Sequence, residues 1–472
     1  MERKNIIKSI IASQHNELSD FKLFDRDLKV PVGSGKIIVI SGIRRCGKTS
    51  LLKLIHRQIT VAGTPLRNTL FMNFDDERLA LETKELDLIL QSYRELYPDI
   101  DFAECHFFFD EIQNVENWEK FIRRLYDTIS KNIFISGSNS KQLGSEIATS
   151  LRGRTLQYEL YPLSFSEYLR FKGIRPNYYD NKNKALIINA FNKFLKEGGF
   201  PETVGKEAEL RQRILNDYFQ VLLFRDIIER YNVTRISALK FYIKKLITNL
   251  GKPFSINKIY HQLKSQGIRI DKDSLYSILE YIEAVYLGLR LYRFDYNVVN
   301  REMGDKKIYV IDNGLLNAIS FQFSDNYGVL LENMVYIWLK RKFGANMFYF
   351  SKKNECDFVV FDRDKARLCV QVCYDVSDSE TLKRELKGLA EAMDYFHTDK
   401  GIILTAEQED VVVFNDKSIK IIPVIFGLSI AIKSAKLAGS SSKNLSINVP
   451  ITTIINRKIT EPIILFILSL IP

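Results

Sequence analysis

The stretch Gly42-Ile43-Arg44-Arg45-Cys46-Gly47-Lys48-Thr49 limits what this chain can fold into more than any other. It follows the apolar run Ile37-Ile38-Val39-Ile40 and opens onto Ser50-Leu51-Leu52-Lys53-Leu54-Ile55, whose pattern predicts a helix. A G-x-x-x-x-G-K-[ST] loop between a strand and a helix is a phosphate cradle. Its two glycines let the backbone curl, so that successive N–H groups point at phosphate oxygens. The helix N-terminus adds its positive dipole end. The expectation is that residues Gly42 through Ser50 wrap the phosphates of ATP, with Lys48 reaching the β- and γ-phosphates and Thr49 holding Mg²⁺.

The residues around the loop predict alternating strands and helices. A short amphipathic helix on Ile6, Ile7, Ile10 and Ile11 opens the chain, and Phe21–Val30 is expected to be a strand. Leu70–Phe74 reads as the next strand after the loop's helix, ending in the acidic Asp75-Asp76-Glu77. Beyond a leucine-rich helix, Leu86–Leu96, comes His106-Phe107-Phe108-Phe109-Asp110-Glu111. A continuous apolar run is what a parallel strand buried on both faces requires. Its end would deliver Asp110 to Mg²⁺ and Glu111 to the attacking water as general base. Asn117 is placed to cap the helix Trp118–Ser130. The strand Asn132–Ile135 runs into Ser136-Gly137-Ser138-Asn139-Ser140, where Asn139 is the candidate γ-phosphate sensor and Ser138 the alternative; an ordinary polar turn is the plain reading. Arg152 and Arg154 precede a fifth strand, Thr155–Leu160. They either reach a neighbouring subunit's nucleotide, neutralising transition-state charge in trans, or complement a helix C-terminus.

This order of elements resembles the AAA+ superfamily. More narrowly, it is similar to a large family of archaeal and bacterial ATPases known from their sequences. Those proteins carry Arg-Arg-x-Gly-Lys-Thr in the phosphate loop, as Arg44–Thr49 does. They carry a Pro-Leu-Ser-Phe-x-Glu segment, matched by Tyr161-Pro162-Leu163-Ser164-Phe165-Ser166-Glu167, a Gly-Gly-Phe-Pro-Glu turn, matched by Gly198–Glu202, and an Arg-Asp-Ile, matched by Arg225-Asp226-Ile227. The resemblance implies an α/β P-loop core (1–163), a helical lid (164–232), a winged helix (233–300) and a C-terminal domain of unsettled function with a nuclease-like fold (301–430). It ends near residue 430.

Residues 233–300 support the winged helix on their own, with three helices and an alternating strand at Leu289–Tyr296. Ser255 is placed to cap the second of those helices. This segment holds eleven Lys/Arg against five Asp/Glu, and 431–472 holds five against one. The two supply nearly all of the net charge of +11. The basic residues (Lys240, Lys244, Lys258, Lys264) lie on the first two helices, so the expected contact with DNA is non-specific and made to phosphates. A protein–protein spacer is the other use of such a fold.

The C-terminal part is similar to the PD-(D/E)xK nuclease core, and that resemblance implies Glu332, Asp357 and Gln371-Val372-Cys373 as the metal-site positions. Residues 371 and 373 share a strand face. A neutral amide and a thiol stand where a carboxylate and an ammonium are needed, so the expected domain is structural or binding. The five cysteines, Cys46, Cys105, Cys356, Cys369 and Cys373, form no zinc spacing and read as free thiols. No leader and no apolar run of spanning length is evident, which predicts a cytoplasmic protein without a membrane partner. Residues 431–472 are expected to be a poorly ordered extension. The reading is an ATPase that acts as a homo-oligomer with DNA or a protein. The alternatives are a slow nucleotide switch and an ATP-gated nuclease.

Overall fold

The computed structural model describes residues 2–20, 23–138, 150–177, 180–320 and 326–426, for 14–20 the backbone only. Its contacts divide the chain into two interleaved units. The first takes residues up to Leu163, Phe200–Ile236 and Asp273–Gly288; the second takes Ser164–Gly199, Ser237–Lys272 and the chain from Leu289 onward.

The first unit is built on five parallel strands, β1 (Ile37–Ser41), β2 (Thr69–Asn73), β3 (His106–Asp110), β4 (Ile133–Gly137) and β5 (Thr155–Glu159). Their order in the sheet is β2-β3-β4-β1-β5. Every residue of β1 is buried, as are Phe107, Phe108 and Phe109 on β3, which is why these strands read as unbroken apolar runs. Helices α1 (Glu2–Asp20), α2 (Lys48–Val61), α3 (Asp87–Leu96) and α4 (Trp118–Thr128) belong to the same unit. Ile7, Ile10 and Ile11 of α1 join Phe107, Phe109, Ile133 and Trp118 in one core. Burying each such side chain contributes roughly 1.5–3 kcal/mol. The parallel register brings the ends of β1, β2, β3 and β4 to one edge, and that edge carries the site.

Local expectations are corrected here. The first helix is long, Glu2–Asp20, not short. No strand forms over 23–30. Arg26 turns inward there and donates to the carbonyls of Cys46 (3.0 Å) and Tyr161 (2.7 Å), which ties the segment to loops instead of a sheet. Asn117 precedes α4 in a left-handed conformation (φ 52°) and its side chain caps nothing. Ser255 likewise makes no side-chain cap on the helix Ile256–Ser265.

The second unit holds a six-stranded mixed sheet of β8 (Met347–Ser351), β9 (Glu355–Asp362), β10 (Lys365–Val372), β11 (Gly401–Thr405), β12 (Asp410–Phe414) and β13 (Lys417–Pro423), in the order β12-β13-β11-β10-β9-β8. The helix Ser379–Tyr395, capped by Asp378 on the Thr381 N–H at 2.8 Å, connects β10 to its parallel neighbour β11. Two further strands, β6 (Gly288–Tyr292) and β7 (Lys306–Val310), form a ribbon. Asp312 accepts from Leu315 N at 3.0 Å, capping the helix Asn313–Ile319, and from Gly199 N at 2.6 Å, which fixes the Gly198-Gly199 turn.

The compact units cut across the segments 164–232 and 233–300. Of the three helices in 233–300, Ile236–Thr248 and Ile256–Ser265 lie almost wholly in the second unit, while Lys272–Ala284 lies almost wholly in the first. Two contacts hold that third helix and the turn after it there. Tyr281 stacks on Tyr231 at 3.9 Å and 9°, and the Tyr286 hydroxyl donates to Ser41 Oγ at 2.8 Å, at the end of β1.

Candidate nucleotide-binding site

The loop after β1 is shaped by close backbone packing. A side chain at Gly42 would come within 2.2 Å of the Leu160 carbonyl oxygen. Gly47 stands at φ 101° as the residue before α2, a conformation that favours glycine. The Cys46 thiol donates to the Leu160 carbonyl at 3.3 Å, and Cys46 and Ile43 face the core. Arg44, Arg45, Gly47, Lys48, Thr49 and Ser50 instead line a cavity of about 760 Å³. Arg44 Nε donates to Asp226 Oδ2 at 2.7 Å, within a π-helical turn, Leu222–Glu229. That contact explains the Arg-Asp-Ile segment: it clamps the loop.

Lys48 is almost wholly buried. Its ammonium lies 3.1 Å from Glu111 and donates to the carbonyls of Gly42 (3.2 Å) and Ile43 (3.3 Å). Gln113 Nε2 also donates to Glu111, at 2.5 Å. Burial works against the charged form of Glu111, but Lys48, Arg44 and Gln113 together outweigh it and hold its carboxyl below the usual range. Asp110 differs. Burial pushes its carboxyl up, against the opposing pull of the Ser136 and Thr49 hydroxyls. One of its oxygens accepts a short hydrogen bond from Ser136, and the other, Oδ2, is buried without a hydrogen-bond partner among the described residues. A buried carboxylate oxygen left open beside a threonine hydroxyl is a hard-oxygen pair suited to a small divalent cation. Asn73 and Asp75, at the end of β2, line the same cavity as Glu111.

The predicted residues distribute as follows. Lys48, Thr49, Asp110 and Glu111 come together at the carboxyl edge of the sheet. Asn139 lies outside the described residues; Ser138 is buried and its Oγ finds no partner among them. Arg154 pairs with Asp127 on α4, at 2.9 and 3.2 Å, and does not line the cavity. Arg26, Gln113 and Tyr218 escaped the sequence reading, and Ser136 was seen only as the start of the turn after β4. Arg26 sits in a stretch read as a strand, and Gln113 and Tyr218 sit outside any spacing signal.

In the second unit, Glu332 and Asp357 converge on a residue that sequence reasoning missed. Lys307 of β7 places its ammonium 3.1 Å from Asp357, 2.8 Å from Glu355 and 3.5 Å from Glu332, with 1% of its side chain exposed. Burial disfavours the ammonium, yet the three carboxylates hold its pKa above the usual lysine range. Gln371 accepts from the Asp357 N–H at 3.2 Å and donates to Glu385. Burial pushes the Cys373 thiol up to about 11, so it stays protonated at neutral pH. Among the described residues no group of three or more His, Cys, Asp or Glu is arranged to hold a metal. Four cysteines are buried, Cys373 is partly exposed, and all five are free. No described helix is long and apolar enough to cross a membrane.

Comparison with known proteins covers most of the chain. The AAA domain family matches residues 34–169, and a domain of unknown function, DUF8612, matches 188–326. The uncharacterized protein MJ1544 of Methanocaldococcus jannaschii is 35% identical over 432 residues, spanning 90% of this chain and 92% of its own. An uncharacterized protein of Haemophilus influenzae is 30% identical over 344 residues, spanning 73% of this chain and 84% of its own. Among solved structures, AMPPCP-bound DnaA from Aquifex aeolicus matches at 15% identity, over 57% of this chain and 86% of that one, with a TM-score of 0.24, too low to carry an argument.

Proposed function

The chain belongs to the family of MJ1544, with an AAA domain and a P-loop core of the AAA+ type at residues 34–169, and from that premise we propose that it binds ATP with Mg²⁺ and hydrolyses it. One observation carries the reading: a single sheet edge collects Lys48 and Thr49 with Asp110 and Glu111, and sets the Thr49 hydroxyl beside the buried Asp110 carboxyl. The loop N–H groups and the α2 N-terminus bind the phosphates. Lys48 leaves Glu111 for the β- and γ-phosphates. Thr49 and Asp110 hold Mg²⁺, which when bound neutralises phosphate charge. Glu111, freed of its ammonium, accepts the proton of the water whose oxygen bonds to the γ-phosphorus as the bridging P–O bond breaks. Asn139 senses the γ-phosphate, and Arg154 serves a neighbouring copy in a homo-oligomer.

Steady-state phosphate release by the full chain tests this. Glu111→Gln should keep ATP binding and lose roughly 10²–10⁴-fold in turnover. Lys48→Ala should lose nucleotide affinity. Normal hydrolysis by both variants refutes the assignment.

The wider roles are read as follows. Residues 301–430 form a degenerate nuclease-like domain, in which the Lys307 ammonium stands among the acids. Lys307 supplies the cation missing at Cys373, while Gln371 still stands where a carboxylate is needed, so the nuclease remains the second reading. Of the segment 233–300, expected as a winged helix, the helices Ile236–Thr248 and Ile256–Ser265 expose Lys240, Lys244, Lys258 and Lys264, which give non-specific phosphate contact with DNA. The protein acts in the cytoplasm. The tail 431–472 lies outside the described residues.

A further inference from the structure

The cavity has two chemically different walls. One is the phosphate side, Arg44, Arg45 and Gly47–Ser50 with Glu111. The other is apolar: Pro201 with Ile214, Tyr218 and Val221. The last three are spaced i, i+4, i+7 on the helix Ala208–Val221, so they share one face. Val221 is 44% exposed and Ile214 and Tyr218 are half-buried, so the stripe is not sealed in a core. The volume, about 760 Å³, falls within the roughly 300–1,000 Å³ typical of whole small-molecule sites.

Tyr218 is held in place. Its hydroxyl donates to the Glu202 carboxylate, and its ring meets Phe200 edge-on at 5.5 Å and 61°. The Arg45 guanidinium lies 5.9 Å from the ring centroid. A fixed aromatic ring on an open apolar face is a stacking platform. Asp217, the exposed neighbour of Tyr218, lines the same cavity with an oxygen acceptor. Arg225 lines the cavity seven residues further along the chain, about 10 Å from Tyr218 at helical rise. That spacing is comparable to the reach of a triphosphate with its ribose.

We propose that this face of the helix Ala208–Val221 is the nucleoside half of the site, resting on the ATP reading above: Tyr218 stacks a purine, flanked by Ile214 and Val221, and Asp217 accepts from the ribose hydroxyls. The Phe-Pro-Glu turn and this helix thereby set affinity for the base, while the loop 42–49 sets affinity for the phosphates. Carboxylate recognition of a ribose hydroxyl is an established solution in nucleotide sites.

Calorimetric titration of the full chain with MgATP and, separately, with inorganic tripolyphosphate tests this. Tyr218→Ala should weaken ATP roughly tenfold or more and leave tripolyphosphate unchanged. Tyr218→Phe keeps the ring and should stay within about twofold for ATP. Asp217→Asn should weaken ATP and reduce the preference of ATP over 2′-deoxy-ATP. The proposal is overturned if Tyr218→Ala weakens both ligands alike or neither. If the wild type binds neither ligand, the ATP reading falls and takes this one with it. If the wild type binds both and Tyr218→Ala has no effect on ATP, the phosphate reading stands and this one alone falls. Should Tyr218→Ala fail to fold, Tyr218→Phe and Asp217→Asn decide: a large loss with Tyr218→Phe, or unchanged sugar preference with Asp217→Asn, refutes the platform.

Discussion

Removing the Lys48 ammonium should destabilise the nucleotide-free protein, and removing Glu111 as well should restore much of the loss. The side chains of Lys48 and Glu111 are 4% and 8% exposed and 3.1 Å apart. Deleting one partner of a fully buried pair costs ~3–5 kcal/mol, because a charge is left unpaired in a poor solvent. Here both side chains line a cavity that water can enter, so the cost for Lys48→Met drops below that range, to about 2–3 kcal/mol. For a unit of this size that is roughly 5–10 °C in thermal unfolding. Lys48→Met/Glu111→Gln should recover more than half of it, since no unpaired carboxylate remains. The pH dependence follows from the same pair. The carboxyl of Glu111 is held below its ordinary value near 4.5, so its stabilisation is fully present above that pH and is lost as pH falls through the lowered value. The gap between wild type and Lys48→Met should therefore be constant near neutrality and close below about pH 4.5. Urea unfolding of wild type and both variants from about pH 2.5 to 8 makes the measurement. A double variant no more stable than Lys48→Met, or a gap that widens in acid, would refute the reasoning.

Three further expectations can be checked directly. Asp226→Ala should cost about 3 kcal/mol, because it strands the Arg44 guanidinium, and Arg44→Gln/Asp226→Asn should be milder in the same urea assay; equal costs would deny the clamp. The protein with Mg²⁺ or Mn²⁺ should not cut plasmid DNA, while Lys307→Met should destabilise the second unit by about 3 kcal/mol, seen as earlier unfolding; cleavage abolished by Asp357→Ala would overturn this. Binding to duplex DNA should ignore sequence and fall with a slope of roughly −3 to −4 in log K against log salt, and replacing two of Lys240, Lys244, Lys258 and Lys264 by alanine should reduce that slope by about two units; sequence preference would argue against phosphate contact.

The sequence showed what local rules encode. The strand at Ile37, the loop and the Phe107–Phe109 run are continuous in the chain, and their periodicity and glycine spacing were enough to bring Lys48, Thr49, Asp110 and Glu111 to one edge. Contacts between distant residues were not legible. Nothing in Leu28–Pro31 or Asp25 betrays that Arg26 abandons a strand to hold two carbonyls. Nothing near residue 307 says that a lysine there answers acids at 332, 355 and 357. The Arg225-Asp226-Ile227 triplet was visible as a motif, but its purpose needed Arg44 at hydrogen-bond distance. The third basic-segment helix had the right pattern, yet the pattern could not say which unit would bury it. That choice was made by Tyr231 and Ser41, far away in sequence.

The Ser41–Tyr286 hydrogen bond has a consequence for how the protein is made. A ribosome delivers the chain from its N-terminus at about 5–20 residues per second. All five strands of the first sheet have been synthesised by residue 159, yet the segment from Asp273 to Gly288 is still unmade. The nascent sheet therefore waits roughly 6–25 seconds for its last piece. During that interval the end of β1 lacks the tyrosine that finishes it, and the face that will take the helix Lys272–Ala284 is bare to chaperones. Fragments cut at residue 163 or 232 would remain in that unfinished state for good.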